Sequence, residues 1–260
     1  MASRCSGRDR GWLALALPVV VFLGTAVPAV HAEDMPVCPS TAAAAAPTSG
    51  SNNVRLVTGV PYSALGTSLT TVTLPDGSRV VRENVIRQWR DSDGRTRAEI
   101  SLSTIGGSPP VEVNTTVTVI DDPAARQRYV LQPGGVAVTM PIVPCRPASE
   151  PDLTVGPPRP ANLPIRMSQP VKLGERKLDG ETVAGRRIEA TIPAGAIGNP
   201  QPIQMSAEQW YGKDLQVVVE ATYRDPRTGE TRYKLSDIDR AEPDAKLFKV
   251  PDNYRKESRK

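Results

Sequence analysis

The chain has 260 residues, 39% of them hydrophobic and 23% charged, with a formal net charge of +4. That length suits one sizeable domain or two small ones, and the weak excess of positive charge is poor support for a nucleic-acid partner. With one histidine and three cysteines in all, there is little material for nucleophilic or metal chemistry.

Residues 1–32 read as a secretory signal peptide. Arg4, Arg8 and Arg10 precede the apolar run Trp12–Leu23, and Val30-His31-Ala32 offers small residues at a cleavage position before Glu33. The run is short for a membrane helix, so the mature chain is expected to be soluble, without a membrane span, and periplasmic or secreted. Removing three arginines and one aspartate lowers the net charge from +4 to +2. The only histidine, His31, leaves with the signal, and so does Cys5. Cys38 and Cys145 remain, a pair that an oxidising compartment favours as a disulfide; two free thiols are the alternative.

Residues 33–53 combine prolines, the run Ala42–Ala46 and Ser49-Gly50-Ser51, and read as a flexible lead-in because five alanines cannot sustain a helix alone. A single β domain is expected over 54–254. Ser68–Leu74 runs to Pro75-Asp76-Gly77, Arg79–Arg90 to Asp91-Ser92-Asp93-Gly94, and Arg97–Thr104 to Gly106-Gly107. Asp-Gly between β-rich runs is a hairpin signal. Val111–Ile120, Gln127–Leu131 and Val136–Val143 follow as further strands. Eight prolines within 144–170 mark an insertion that can hold neither a central strand nor a helix. A second β block begins at Val171: Lys172–Leu178 turns at Asp179-Gly180, and Val183–Ile192 and Ile203–Tyr211 follow.

The clearest pair lies in Asp214–Arg240. Leu215, Val217, Val219, Ala221 and Tyr223 alternate with Gln216, Val218, Glu220, Thr222 and Arg224, the period of a strand with one buried face. Asp225-Pro226-Arg227-Thr228-Gly229 supplies turn chemistry, and Thr231, Tyr233 and Leu235 return on one side. Glu242-Pro243-Asp244 then starts a short helical turn burying Leu247 and Phe248, Pro251 stops it, and 255–260 is a charged tail. Short connections throughout favour antiparallel order. The fold class is therefore mainly β, of roughly ten to eleven strands with short helical turns.

Catalytic equipment is scarce. Without a mature histidine there is no Ser-His-Asp or Cys-His arrangement, and no Gly-x-Ser-x-Gly elbow or Cys-x-x-Cys occurs. No metal set and no cofactor motif is present. Asp91 and Asp93 beside Gly94 fit a hairpin turn better than a calcium loop, and Asp121-Asp122 before Pro123 fits a cap. Glu208, Glu220 and Glu230 fit a polar strand face. Arg87, Arg90, Arg95 and Arg97 sit among Glu83, Asp91, Asp93 and Glu99, and read as a self-neutralised hairpin end.

Several landmarks resemble a family of secreted bacterial proteins of unknown function. They are Glu208-Gln209-Trp210, Asp225-Pro226 with Gly229-Glu230, and the ending Glu242-Pro243-Asp244, Leu247-Phe248, Val250-Pro251 and Tyr254. Arg90–Arg97, Leu173-Gly174-Glu175 and the segment Ile192–Asn199 look like earlier landmarks of that family. More loosely, the layout resembles periplasmic lipoprotein-carrier-like proteins. That resemblance implies a large curved antiparallel sheet, an unclosed half-barrel, whose concave face takes acyl chains. On it rests the expectation of a non-catalytic binding protein for a lipid or lipoprotein acyl chain, with Leu215, Val217, Val219, Tyr223, Tyr233 and Leu235 as candidate lining residues. The alternative is an envelope sensor or interaction protein that binds a membrane-protein partner.

Overall fold

The computed structural model describes residues 35, 36, 38, 52–102, 115–146 and 164–258. The signal peptide at 1–32, most of the lead-in and the proline-rich stretch 147–163 lie outside the described residues. Within them the first half of the chain forms β1 (Asn53–Arg55), β2 (Tyr62–Thr73), β3 (Arg79–Arg90), β4 (Thr96–Leu102), β5 (Thr115–Asp122), β6 (Gln127–Gln132), β7 (Val136–Pro141) and β8 (Val143–Cys145). The second half forms β9 (Arg166–Met167), β10 (Val171–Leu178), β11 (Glu181–Ile192), β12 (Ile203–Gly212), β13 (Val217–Asp225), β14 (Gly229–Asp239) and β15 (Arg255–Ser258). One 3-10 turn, Ala245–Phe248, precedes β15.

The strands make one large curved antiparallel sheet that does not close into a barrel. Its order is β10-β11-β12-β13-β14-β2-β3-β4-β5-β6-β7-β15, with β9 also on β11. Two meanders, β2 to β7 and β10 to β14, each follow chain order, and they meet where β14 pairs antiparallel with β2. The turns that permit this are those the sequence marks. Gly77, Gly180 and Gly229 carry positive φ at hairpin ends, a conformation glycine adopts without a Cβ penalty.

Four short strands escape the sequence pattern. β1 and β8 form a separate parallel pair, β9 spans two residues, and β15 pairs parallel with β7. The charged end at 255–260, expected as a tail, keeps exposed side chains over Arg255–Ser258 while its backbone joins the sheet. Cys38 and Cys145 form the disulfide, with Cα atoms 4.8 Å apart. It pins the lead-in to β8, helped by backbone hydrogen bonds from Cys38 to Arg146 and from Arg146 to Pro36.

Cross-strand partners share a face, and the register sorts the sheet into two. One face carries Ile188, Ala207, Tyr223, Tyr233, Ile86, Ile100 and Val119. Most of these are buried, and we call this face the inner one. The other carries the charge pairs Arg187–Glu208, Arg176–Glu220, Arg224–Glu230, Arg232–Glu230 and Arg97–Glu99. At the β4 to β7 end the outer face is covered as well, because Phe248 packs on Ile120, Leu131 and Ala137. Asp244 caps that turn by accepting from the Lys246 amide at 2.8 Å.

The hairpin of β13 and β14 departs from simple alternation. Gln216 has φ 56°, and the β12–β13 register shifts between Trp210 and Tyr211, so β13 holds one extra residue. A bulge of this kind turns two consecutive side chains away from solvent. Val218 and Val219 are both buried, where unbroken alternation would expose Val218.

Candidate functional site

Five of the six candidate lining residues come together, but in a packed cluster. Leu215, Val219 and Leu235 are at most 1% exposed and pack with Tyr62, Val183 and Trp210, while Val217 and Tyr233 lean against them. Leu215 reaches this cluster from the β12–β13 turn, and its carbonyl accepts from the Arg90 guanidinium at 2.6 Å. Arg90 also donates to the Val60 carbonyl at 2.9 Å and lies 4.8 Å from the Tyr62 ring centroid. The buried guanidinium therefore ties the turn to β2 and closes this end of the sheet. Tyr223, the sixth candidate, sits apart with Ile188 and Ala207.

The remaining inner face is a series of separate apolar clusters. Ile86, Ala98, Ile100 and Val119 form one, Ile188, Ala207 and Tyr223 another, and Ala190, Ile192 and Met205 a third. Between them run polar side chains, among them Gln88 and Gln209, with Arg186 opposite Gln209. Tyr62 donates to Gln88 Oε1 at 3.3 Å, and Gln88 Nε2 donates to the Tyr233 hydroxyl at 2.9 Å. Gln209, opposite Ala221 on the same face, donates through Nε2 to the Tyr223 hydroxyl at 2.5 Å. Gln209 is 3% exposed, and its Oε1 has no hydrogen-bond partner among the described residues. Burial pushes the Tyr233 phenol well above its ordinary range, with Tyr62 adding to the effect and Gln88 opposing it. Burial likewise raises Tyr223, opposed by the Gln209 hydrogen bond. Both phenols therefore stay protonated and neutral. Gln209 is not among the residues that the sequence singles out as a candidate, although Ile203, Met205, Ala207 and Gln209 alternate along one strand face and that alternation could have found it.

The carboxylates weighed as chemistry have structural partners. Glu208 accepts from Arg187 at 2.8 Å and from the Trp210 indole at 3.0 Å. Partial burial works to raise its carboxyl, but these two hydrogen bonds and the nearby arginine charges outweigh it and hold the group below its usual range. Asp91 is buried, accepting from the Arg95 amide and guanidinium. Asp121 is likewise buried against Arg128, while Asp122 caps the Ala125 amide. Arg97 binds Glu99 and the Leu247 carbonyl, so Arg95 and Arg97 are paired with carboxylates, whereas Arg90 is held by the Val60 and Leu215 carbonyls. Among the described residues no group of His, Cys, Asp or Glu could hold a metal ion. No helix among them is long and apolar enough to cross a membrane.

An open depression of about 450 Å³ lies on the outer face, lined by Leu69, Thr71, Thr73, Arg79, Gly229, Glu230 and Arg232. None of the candidate lining residues is in it.

No family model and no curated protein matches the chain. Among solved structures it is similar to the MucA/MucB complex of Pseudomonas aeruginosa, at 14% identity and a TM-score of 0.33 over 74% of this chain and 57% of that one. It is also similar to LprF from Mycobacterium bovis, at 13% identity and TM-score 0.33, covering 76% and 91% of the two chains. A LolA superfamily protein from Nitrosomonas europaea matches at 12% identity and TM-score 0.29, covering 75% and 92%. The chain thus spans little more than half of MucB. The last of these carries the LolA name of the carrier-like group that the sequence loosely resembles, and at these scores the three bear on neither ligand nor partner.

Proposed function

We propose that the protein is a non-catalytic binding module of the periplasm or exterior, holding a lipid or acyl chain against the inner face of its open sheet. The observation that carries this reading is the division of the inner face into three separate apolar clusters. A sheet folded over its own core merges its apolar side chains into one contiguous cluster; here the two meanders share a cluster only at the closed end, where Tyr62 packs with Leu215 and Leu235, and stay separate over the rest of the inner face. An apolar surface interrupted by a few placed polar groups is the usual chemistry of a small-molecule site. Tyr223 remains a lining residue on this reading, whereas Leu215, Val219 and Leu235 form the closed end of the trough.

A second reading, an envelope protein as partner, draws on the exposed apolar side chains Leu69, Leu74 and Val81 at the β2–β3 end. Native mass spectrometry of protein purified from its host separates the two. The expected result is a mass excess that dissociates as a lipid. A clean ligand-free mass together with no uptake of a fluorescent fatty acid would overturn the lipid reading, and a co-purified membrane protein would favour the second.

A further inference from the structure

Gln209 offers something the apolar clusters do not, a buried polar group whose hydrogen-bonding capacity is only half used. Its Nε2 is engaged with the Tyr223 hydroxyl, and its Oε1 meets no partner among the described residues. A buried acceptor left unsatisfied forfeits its hydration without return, which a native fold accepts where something else completes the site. The register places Gln209 opposite Ala221 and Tyr223 opposite Ala207, so the two polar groups are diagonal neighbours on the inner face. Ile188, opposite Ala207, continues the apolar surface beside them.

The pair has a definite complement. As placed, Tyr223 accepts from the amide, so its own proton is free to donate outward while Gln209 Oε1 accepts. Turning the amide end for end gives the same sum: Tyr223 donates to Oε1, its oxygen keeps a free lone pair, and Nε2 donates outward. Either way the site presents an acceptor with at least one donor beside it. A hydroxyl, which donates and accepts at a single oxygen, satisfies both. An ionised carboxylate can only accept, and an ester without a hydroxyl likewise leaves the acceptor bare. Arg186 stands opposite Gln209 across the β11–β12 pair, so the discrimination against a carboxylate rests on the Gln209 acceptor, which a carboxylate leaves without a donor and repels.

Resting on the inner-face reading above, we infer that Gln209 and Tyr223 form a polar anchor for the hydroxyl of an uncharged amphiphile bound against the half-buried Tyr223 on the inner face. The ligand class is a neutral hydroxyl-bearing lipid, of the kind represented by a monoacylglycerol.

The test is displacement of a fluorescent acyl probe from the purified protein by monopalmitoylglycerol, methyl palmitate and palmitate. Monopalmitoylglycerol is expected to bind about tenfold more tightly than methyl palmitate, since a site built to hydrogen-bond a hydroxyl rejects the analogue lacking it, and to outcompete palmitate at neutral pH. Gln209→Leu is expected to abolish that preference while retaining methyl palmitate binding, and Tyr223→Phe to reduce it several-fold. Equal binding of monopalmitoylglycerol and methyl palmitate by the unmodified protein overturns the anchor and leaves the inner-face reading standing. Failure of all three to displace the probe overturns both. A folded Gln209→Leu protein with the full preference also overturns the anchor. If that variant does not fold, the unmodified protein and Tyr223→Phe decide the matter.

Discussion

Trp210 shows how much of this molecule is decided by a few close neighbours. Its ring lies on Gly185, where an added Cβ would stand 2.6 Å from the nearest ring carbon. The Arg176 guanidinium covers the ring at 3.7 Å from its centroid, and the indole N–H donates to Glu208. The glycine has an ordinary φ, so its role is space and not backbone freedom. Gly185→Ala is therefore expected to cost about 1–3 kcal/mol through overpacking, seen as a lower urea midpoint with a changed tryptophan emission. A midpoint equal to that of the unmodified protein would mean the ring shifts aside freely. The sequence marks Glu208 and Trp210 as landmarks without indicating why they belong together. The reason is geometric: residues two apart in a strand share a face, so the carboxylate can reach the indole, and the glycine beneath the ring lies on the neighbouring strand.

Elements with their own turn chemistry were legible and those defined by distant partners were not. The Asp-Gly and Pro-Arg-Thr-Gly turns announce the β2–β3, β10–β11 and β13–β14 hairpins, and Asp244 with Pro243 announces the 3-10 turn. β1, β8, β9 and β15 are two to four residues long, too short for a period to emerge, and three of them are held by strands far away in sequence. The bulge in β13 escaped for a related reason. Leu215 to Tyr223 fits period two on paper, and only pairing with β12 reveals the extra residue. In the candidate site the hairpin's apolar residues were found, but sequence could not show that most of them pack into one closed end. The C-terminal elements act together. Phe248 is 4% exposed, lies beneath Arg95 at 5.5 Å from the ring centroid, and precedes the parallel pairing of β15 on β7. Phe248→Ala should cost about 3 kcal/mol, because the ring's burial is forfeited and a cavity remains beneath Arg95. Hydrogen exchange should also accelerate at the β15 amides, which are held in place through this turn. Unchanged exchange there would show that β15 docks independently of it.

Across the whole molecule, the decisive feature is the seam where β14 meets β2. Every other junction between neighbouring long strands joins consecutive segments, whereas the seam pairs Thr231 with Thr70, whose hydroxyls lie 3.0 Å apart across a sequence separation of 161. The disulfide shortens that path only modestly: by way of Cys38 and Cys145 it is about 118 residues against 161, a small difference for a closure entropy that grows with the logarithm of loop length. Local hairpins form in roughly 1–10 μs, but the seam must first meet the closure entropy of a very long loop. Each half-sheet therefore waits with a bare central edge, and the rate of folding is set by how quickly two edges find each other. Stopped-flow refolding should show a phase on the millisecond-to-second scale typical of non-local β topologies, at a similar rate with the disulfide intact or reduced; complete refolding within microseconds would place the slow step elsewhere. Those waiting edges are also where a newly made chain is open to pairing with another copy of itself, so the same seam that unites the sheet sets the window in which it is vulnerable to aggregation.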